Sequence, residues 1–264
     1  MNHHEHQSHQ RILALDTSTS QLAAAVLEDD VLLKEINENG ERNHSVHMHP
    51  IIERVVLASG LSVRDLDGIA VGVGPGSYTG VRMAVTAAKT LAWANRIPVV
   101  GVSSLHALAW GGLEQGMLAE KGHDHAINSN HWIIPLLDAR RGQAYTALFE
   151  GTGGTAPKRL APDGIRLMGT WVEELEERLG RLPASQQPAG IWFTGETGVH
   201  GPVAETLREN GACPVYVQEY ELEGRWAGYL GAERLLRGEY DETHSLLPNY
   251  TQLSEAEANL LRRR

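Results

Sequence analysis

The chain has 264 residues, 42% of them hydrophobic, and a formal net charge of −10 from 23 basic and 33 acidic side chains. That length can build one large domain or two smaller ones, and the acidic balance argues against a protein that grips nucleic acid alone. A single cysteine, Cys213, excludes an intrachain disulfide framework. With no apolar stretch reaching the roughly 18 residues of a membrane span, the chain reads as cytoplasmic, with no membrane partner.

The opening MNHHEHQSHQ, residues 1–10, is a polar tail with four histidines and no apolar middle of a secretory signal; it is expected to be disordered. A first lobe is expected over residues 11–110. In it, ILALDTST, QLAAAVLEDD and VLLKEINENG read as three strands, with Asp29-Asp30 as a hairpin turn. Met48 to Ser59 carries apolar residues at i, i+3, i+4 and i+7, so a helix is predicted, with Pro50 in or near its first turn. LDGIAVGVG is a buried strand, Ser77 to Asn95 a helix with Ser77 as N-cap, IPVVGVSS another strand, and Leu105 to Gly111 a further helix.

Residues 111–131 are read as a helix end and linker loop, with His123, His125 and His131 lacking a zinc-type frame. A second, smaller lobe is expected over 132–264. It opens with a hairpin turning at Asp138 to Gln143, and GTGGTAPK is a flexible connection. Then come a helix over Thr170 to Gly180, a strand in GIWFTGETG, a helix near Val203 to Asn210, a strand in CPVYV and a helix over Ala227 to Arg237. The fold class is α/β: mixed sheets flanked by helices, the second lobe reduced.

Two stretches can carry chemistry. In GVGPGSYTGVRMAV, Gly72, Gly74, Pro75 and Gly76 lead into the helix at Ser77, where free N–H groups favour an anion. The loop is neither a Walker loop nor a dinucleotide fingerprint, and it reads equally as a tight turn that seats a helix on a sheet. Gly80, Ala84, Ala88 and Ala92 then give that helix a smooth seam, and the rest of its surface is so apolar that a cover is expected on a second side. In LDTSTS, Asp16, Thr17 and Ser18 could hold a metal-bound phosphate or form a ligand-free Asx turn. Asp138 and Arg140 in DARRG are a possible charged pair at a hairpin turn, and Cys213 reads as inert.

Taken together, LALDTST, RNHS, GVGPGSYTGVRMAVTAAKTLAW, PVVGVSSLHALA, LLDARRGQAY and LPNYTQLSEAEA give the chain a resemblance to the TsaB (YeaZ) family. It runs from about Ile12 to about Leu261 and is densest up to Leu108. The late segment departs from the family pattern at Tyr250-Thr251-Gln252, where Tyr-Leu-Arg is common. The resemblance implies two related lobes of the actin, hexokinase and heat-shock ATPase type. It implies an accessory, non-catalytic role beside TsaD, which transfers threonylcarbamoyl to adenosine 37 of tRNA. It also implies TsaE in the complex, a homodimer when alone and tRNA met only indirectly.

TsaD carries a helical His-x-x-x-His metal motif; here His44 is followed at i+4 by Met48, so no metal site is expected. No cofactor is expected for the chain alone, with ATP or ADP used in the complex. Asp16, Thr17, Ser18, Gly74, Gly76 and Ser77 would be a vestigial or composite phosphate site. The family pairs through its first two long helices. Spacing assigns that surface to Ile51, Ile52, Val55 and Val56, with Met83, Ala87 and Leu91. The rival class is an enzyme in its own right, nucleotide-hydrolysing or peptidase-like, using Asp16 and Asp138.

Overall fold

A computed structural model describes residues 9–40, 44–119, 129–209 and 213–251. The chain forms two compact units. One gathers the described residues up to Val73 with Thr79–Val102 and Glu223–Leu247; the other gathers Gly74–Tyr78, Ser103–Leu222 and the residues from Pro248 on.

The first unit is built on a five-stranded sheet. In chain order it contains β1 (Arg11–Asp16), β2 (Gln21–Glu28), β3 (Val31–Asn39), α1 (His44–Ala58), β4 (Gly68–Gly72), α2 (Tyr78–Asn95) and β5 (Val99–Val102). The sheet order is β3-β2-β1-β4-β5. The β1–β2 and β2–β3 pairs are antiparallel, while β1–β4 and β4–β5 are parallel. Asp29 sits at positive φ in the β2–β3 turn, and its carboxylate accepts the Gln10 N–H.

Both faces of this sheet are covered, which is why Ile12 to Leu15 is an unbroken apolar run rather than an alternation. Leu13, Leu15, Leu22, Ala24 and Val26 pack in one core with α1 and α2. The opposite face carries a helix from far along the chain, residues Gly224–Leu236. Its glycines allow close approach: a Cβ on Gly228 would meet Leu27 and Ala14, and one on Gly231 would lie 2.2 Å from the Ala70 Cβ. Its N-terminus is capped by β3, since Gly224 N–H donates to Asn37 and Arg225 N–H to Glu35.

The segment after that helix straps the edge strand β5. Asp241 bridges to Val99 and accepts the Gly101 N–H, while Lys89 of α2 donates to the carbonyls of His244 and Leu246. An open groove of about 940 Å³ lies between Trp93, Ile97 and Pro98 and this strap.

The second unit contains α3 (Ser104–Ala119), β6 (His131–Asp138), β7 (Gln143–Gly151), β8 (Lys158–Leu167), α4 (Met168–Gly180), β9 (Ile191–Gly195), α5 (Gly201–Glu209) and β10 (Val215–Glu219). The helix Gly224–Leu236, already placed on the first sheet, is α6. The second sheet runs β8-β7-β6-β9-β10, the same plan as the first. Trp171, Val172 and Leu175 of α4 and Ala204 and Leu207 of α5 share a core with Trp132, Ile134, Leu136 and Leu148. α3 covers the other face, with Gly112 against Thr194 and Gly116 against Trp192.

Four sequence expectations are corrected. The second lobe is not reduced in its elements, because β8 completes the set; the connection reading missed it. Pro162 sits where the β7–β8 register shifts, a place where an edge strand tolerates proline. The helix end read at residue 111 runs on to Ala119 before any loop: Gly112 and Gly116 mark the face where no Cβ fits rather than a break. The division at 110 and 132 is replaced by an exchange, in which α3 counts with the second unit and α6 with the first. Finally, the helix read from Met48 begins at His44, so Pro50 lies inside it, one turn past the start. Residues 1–8, His123, His125, the late LSEAEA and Arg262 to Arg264 lie outside the described residues.

Candidate functional site

The β1–β2 turn holds the first group of predicted site residues, and it is closed. Asp16, Thr17 and Ser18 are all buried. The Asp16 carboxylate accepts the Ser18 N–H at 2.8 Å, and the Thr17 hydroxyl donates to the Gly80 carbonyl at 2.6 Å. The turn is thus an Asx turn stitched to the first turn of α2. The Ser18 hydroxyl is buried without a hydrogen-bond partner among the described residues. The Asp16 and Thr17 side chains are thus engaged within the first unit.

Gly74, Gly76 and Ser77 belong to the second unit. Gly74 has φ +88° and exchanges two hydrogen bonds with Ser104: its N–H donates to the Ser104 hydroxyl, and its carbonyl accepts the Ser104 N–H. The glycine therefore serves a tight turn that docks the loop on the start of α3. Gly76 is half-buried, and Ser77 is exposed immediately before α2.

The residues predicted for a partner surface lie on α1 and α2, but most of them are buried. Ile51, Ile52, Val55 and Val56 are 0–4% exposed and belong to the first core, as does buried Ala87. An amphipathic stripe first satisfies its own sheet, so the i, i+3, i+4, i+7 pattern marked the core face. Met83 and Leu91 are half-buried at the edge of that core. The apolar surplus sits off the stripe: Leu57 is 64% exposed and Trp93 67% exposed. Arg82, Thr86 and Thr90 complete the outer face of α2, and Glu53 and Arg54 that of α1.

Sequence reasoning missed a polar cluster at the end of β6. The Asp138 carboxylate accepts the Arg140 N–H and lies 3.1 Å from Nε2 of His200, whose side chain is 2% exposed. Arg140 thus meets Asp138 through its backbone N–H, and of the two readings of DARRG, a charged pair or an ordinary surface pair, the charged pair is not the contact formed. Glu196 accepts the Asp138 N–H at 2.7 Å; burial, with the Asp138 charge adding, raises its carboxyl pKa. Only the DARRG turn hinted at this cluster, because Glu196 and His200 arrive from the loop between β9 and α5.

Two further histidines are structural. His131 is a core residue whose Nδ1 accepts from Trp192 Nε1. His106 stacks on Phe149 and bonds the Pro157 carbonyl at 2.6 Å; burial lowers its pKa to about 4. The Cys213 thiol is half-buried and its pKa is raised by burial, which lowers its thiolate fraction. No helix among the described residues is long and apolar enough to cross a membrane.

Two sheets of one strand plan, each sandwiched between helices, define the two-lobe, actin-like class of α/β proteins. YeaZ from Pseudomonas aeruginosa has this fold, with a TM-score of 0.66 at 23% identity over 91% of this chain and 99% of that one. A family model described as "TsaD: tRNA N6-adenosine threonylcarbamoyltransferase" matches residues 32–173. The tRNA threonylcarbamoyladenosine biosynthesis protein TsaB of Bacillus subtilis is 35% identical over 252 residues, 94% of this chain and 96% of that one. Its Escherichia coli namesake is 32% identical over 143 residues, 53% of this chain and 55% of that one. The chain belongs to the TsaB family, within the wider group that the family model describes.

Proposed function

We propose that this chain is a non-catalytic subunit in tRNA threonylcarbamoyladenosine synthesis that docks a TsaD-type threonylcarbamoyltransferase through the outer face of α1 and α2. Family membership supports the pathway. The observation that carries the docking reading is two exposed apolar side chains in one unit, Leu57 on α1 and Trp93 on α2. Tryptophan is enriched at protein–protein interfaces, so an exposed Trp93 fits a partner surface. The closed Asp16–Ser18 turn supports a role without chemistry of its own.

In this reading the chain works in the cytoplasm, pairs with itself through the same face when alone, and admits TsaE to the assembled complex. It needs no cofactor of its own, ATP or ADP being used by the complex, and it meets tRNA only inside that complex. The test is reconstitution. Threonylcarbamoyl transfer by a TsaD-type enzyme should depend on this chain, and Asp16→Ala should leave the rate unchanged. Nucleotide hydrolysis or peptide cleavage by the isolated chain, abolished by Asp16→Ala or Asp138→Ala, would overturn the reading in favour of an enzyme.

A further inference from the structure

The turn between β6 and β7 has a conformation that the fold alone does not explain. Gln143 N–H bonds the Arg140 carbonyl at 2.9 Å, which places Arg141 and Gly142 at the centre of a β-turn. Arg140, Arg141 and Gly142 have φ of +65°, +55° and +72°. Glycine and asparagine are the usual residues for such positions; arginine is not, and each is held there at a cost. The turn is fixed on both sides by Ala139 N–H to Gln143 O and Met168 N–H to Gly142 O. It therefore presents two neighbouring guanidinium groups on a rigid base, and all three residues are exposed.

Those cations have no anionic partner among the described residues. Several arginines elsewhere in the molecule are tied down: Arg11 to Glu28, Arg54 to Glu38, Arg159 to Asp163, Arg225 to Glu35, Arg237 to Glu233. The acids next to the turn are engaged by other groups, Asp138 by a backbone N–H and His200, Glu196 by a backbone N–H. A planar guanidinium fork matches phosphate oxygens well, and paired forks on a preorganised turn match successive phosphates.

We propose that the Arg140–Arg141 turn is a contact for the phosphate backbone of tRNA. It acts within the complex of the preceding subsection and rests on that reading. The acidic chain supplies a local contact to a composite surface and does not bind RNA alone.

The test uses the double variant Arg140→Asn, Arg141→Asn. Asparagine accepts positive φ more readily than arginine, so the turn and the melting temperature should be kept. Complex formation with the TsaD-type enzyme is checked first by size-exclusion chromatography. If the wild-type chain forms no complex, the preceding reading fails, and the failure is independent of the arginines. With both complexes formed, tRNA affinity is measured from about 50 to about 300 mM salt. Loss of two phosphate contacts should lower the slope of log K against log salt by about 1.4–1.8 and weaken binding at low salt by about tenfold or more. An unchanged slope and affinity would overturn the proposal. So would loss of the protein complex itself, which would assign the arginines to a protein carboxylate.

Discussion

Replacing Gly231 by alanine separates tertiary packing from helix propensity, because the two predict opposite signs. Alanine in a helix interior is worth about 1 kcal/mol over glycine, so propensity alone predicts stabilisation. In the structure, a Cβ on Gly231 would lie 2.2 Å from the Cβ of Ala70 and 3.3 Å from its Cα. Ordinary contact begins near 3.4 Å, and alanine has no rotamer that could retreat. Ala70 is fully buried in β4, between β1 and β5, so the helix or the sheet must move by more than 1 Å. Overpacking of that kind costs about 1–3 kcal/mol, and a shift this large belongs at or beyond the upper end. The expected net loss is about 1–2 kcal/mol. Urea unfolding followed by tryptophan fluorescence reads it as a lower midpoint. Gly169→Ala in α4 is the control: nothing lies within 4 Å of that Cβ, and a gain of up to about 1 kcal/mol is expected. Stabilisation by Gly231→Ala equal to that of the control would refute the seating of α6 on the first sheet.

Three other outcomes follow from burial and hydrogen bonding. Val55→Glu, which places a carboxylate where the side chain is 0% exposed, should cost about 3 kcal/mol or more and unfold the first unit rather than merely block a partner. A buried histidine whose pKa falls to about 4 binds its proton later than the unfolded chain, which does so near 6.5. Stability should therefore fall as pH drops from 6.5 towards 4, by up to about 3 kcal/mol, and His106→Gln should remove most of that slope in pH-dependent unfolding. Lys89→Ala removes the donor to the His244 and Leu246 carbonyls, so amide hydrogen exchange at Asp241, Ser245 and Leu246 should quicken about tenfold, as expected for about 1–2 kcal/mol of local stability.

The first lobe was legible because its signals are local. β-branched and apolar runs gave β1, β4 and β5, Asp29-Asp30 gave the hairpin, and the Gly80, Ala84, Ala88, Ala92 seam gave the packed face of α2, all four residues being buried. Non-local features were not legible. α6 is separated by more than 120 residues from the last strand of the sheet it covers, and nothing in its own periodicity names that sheet. Gly112 and Gly116 read as breakers until Thr194 and Trp192 are placed opposite them. β8 hid behind Pro162 and a run of charge.

The candidate site divides the same way. The glycine loop was expected to be a cradle or a turn, and the reciprocal Gly74–Ser104 bonds give the turn a concrete role. The DARRG stretch announced a hairpin. Its positive-φ arginines and the Asp138–His200 contact depend on backbone angles and on an element 62 residues away, neither of which a pattern of residue types encodes. The partner face was assigned to the apolar stripe, whereas the stripe belongs to the core and the outer face is marked by isolated residues, Leu57 and Trp93.

The central claim is that this outer face holds a TsaD-type enzyme, and light scattering coupled to size-exclusion chromatography tests it most directly. The chain alone should elute as a homodimer and, mixed with the enzyme from the same organism, as a one-to-one heterodimer. Leu57→Asp with Trp93→Asp should abolish both assemblies while shifting stability by less than about 0.5 kcal/mol, because both side chains are exposed. A wild-type chain that ignores the enzyme, or a double variant that still binds it at one to one, would contradict the account.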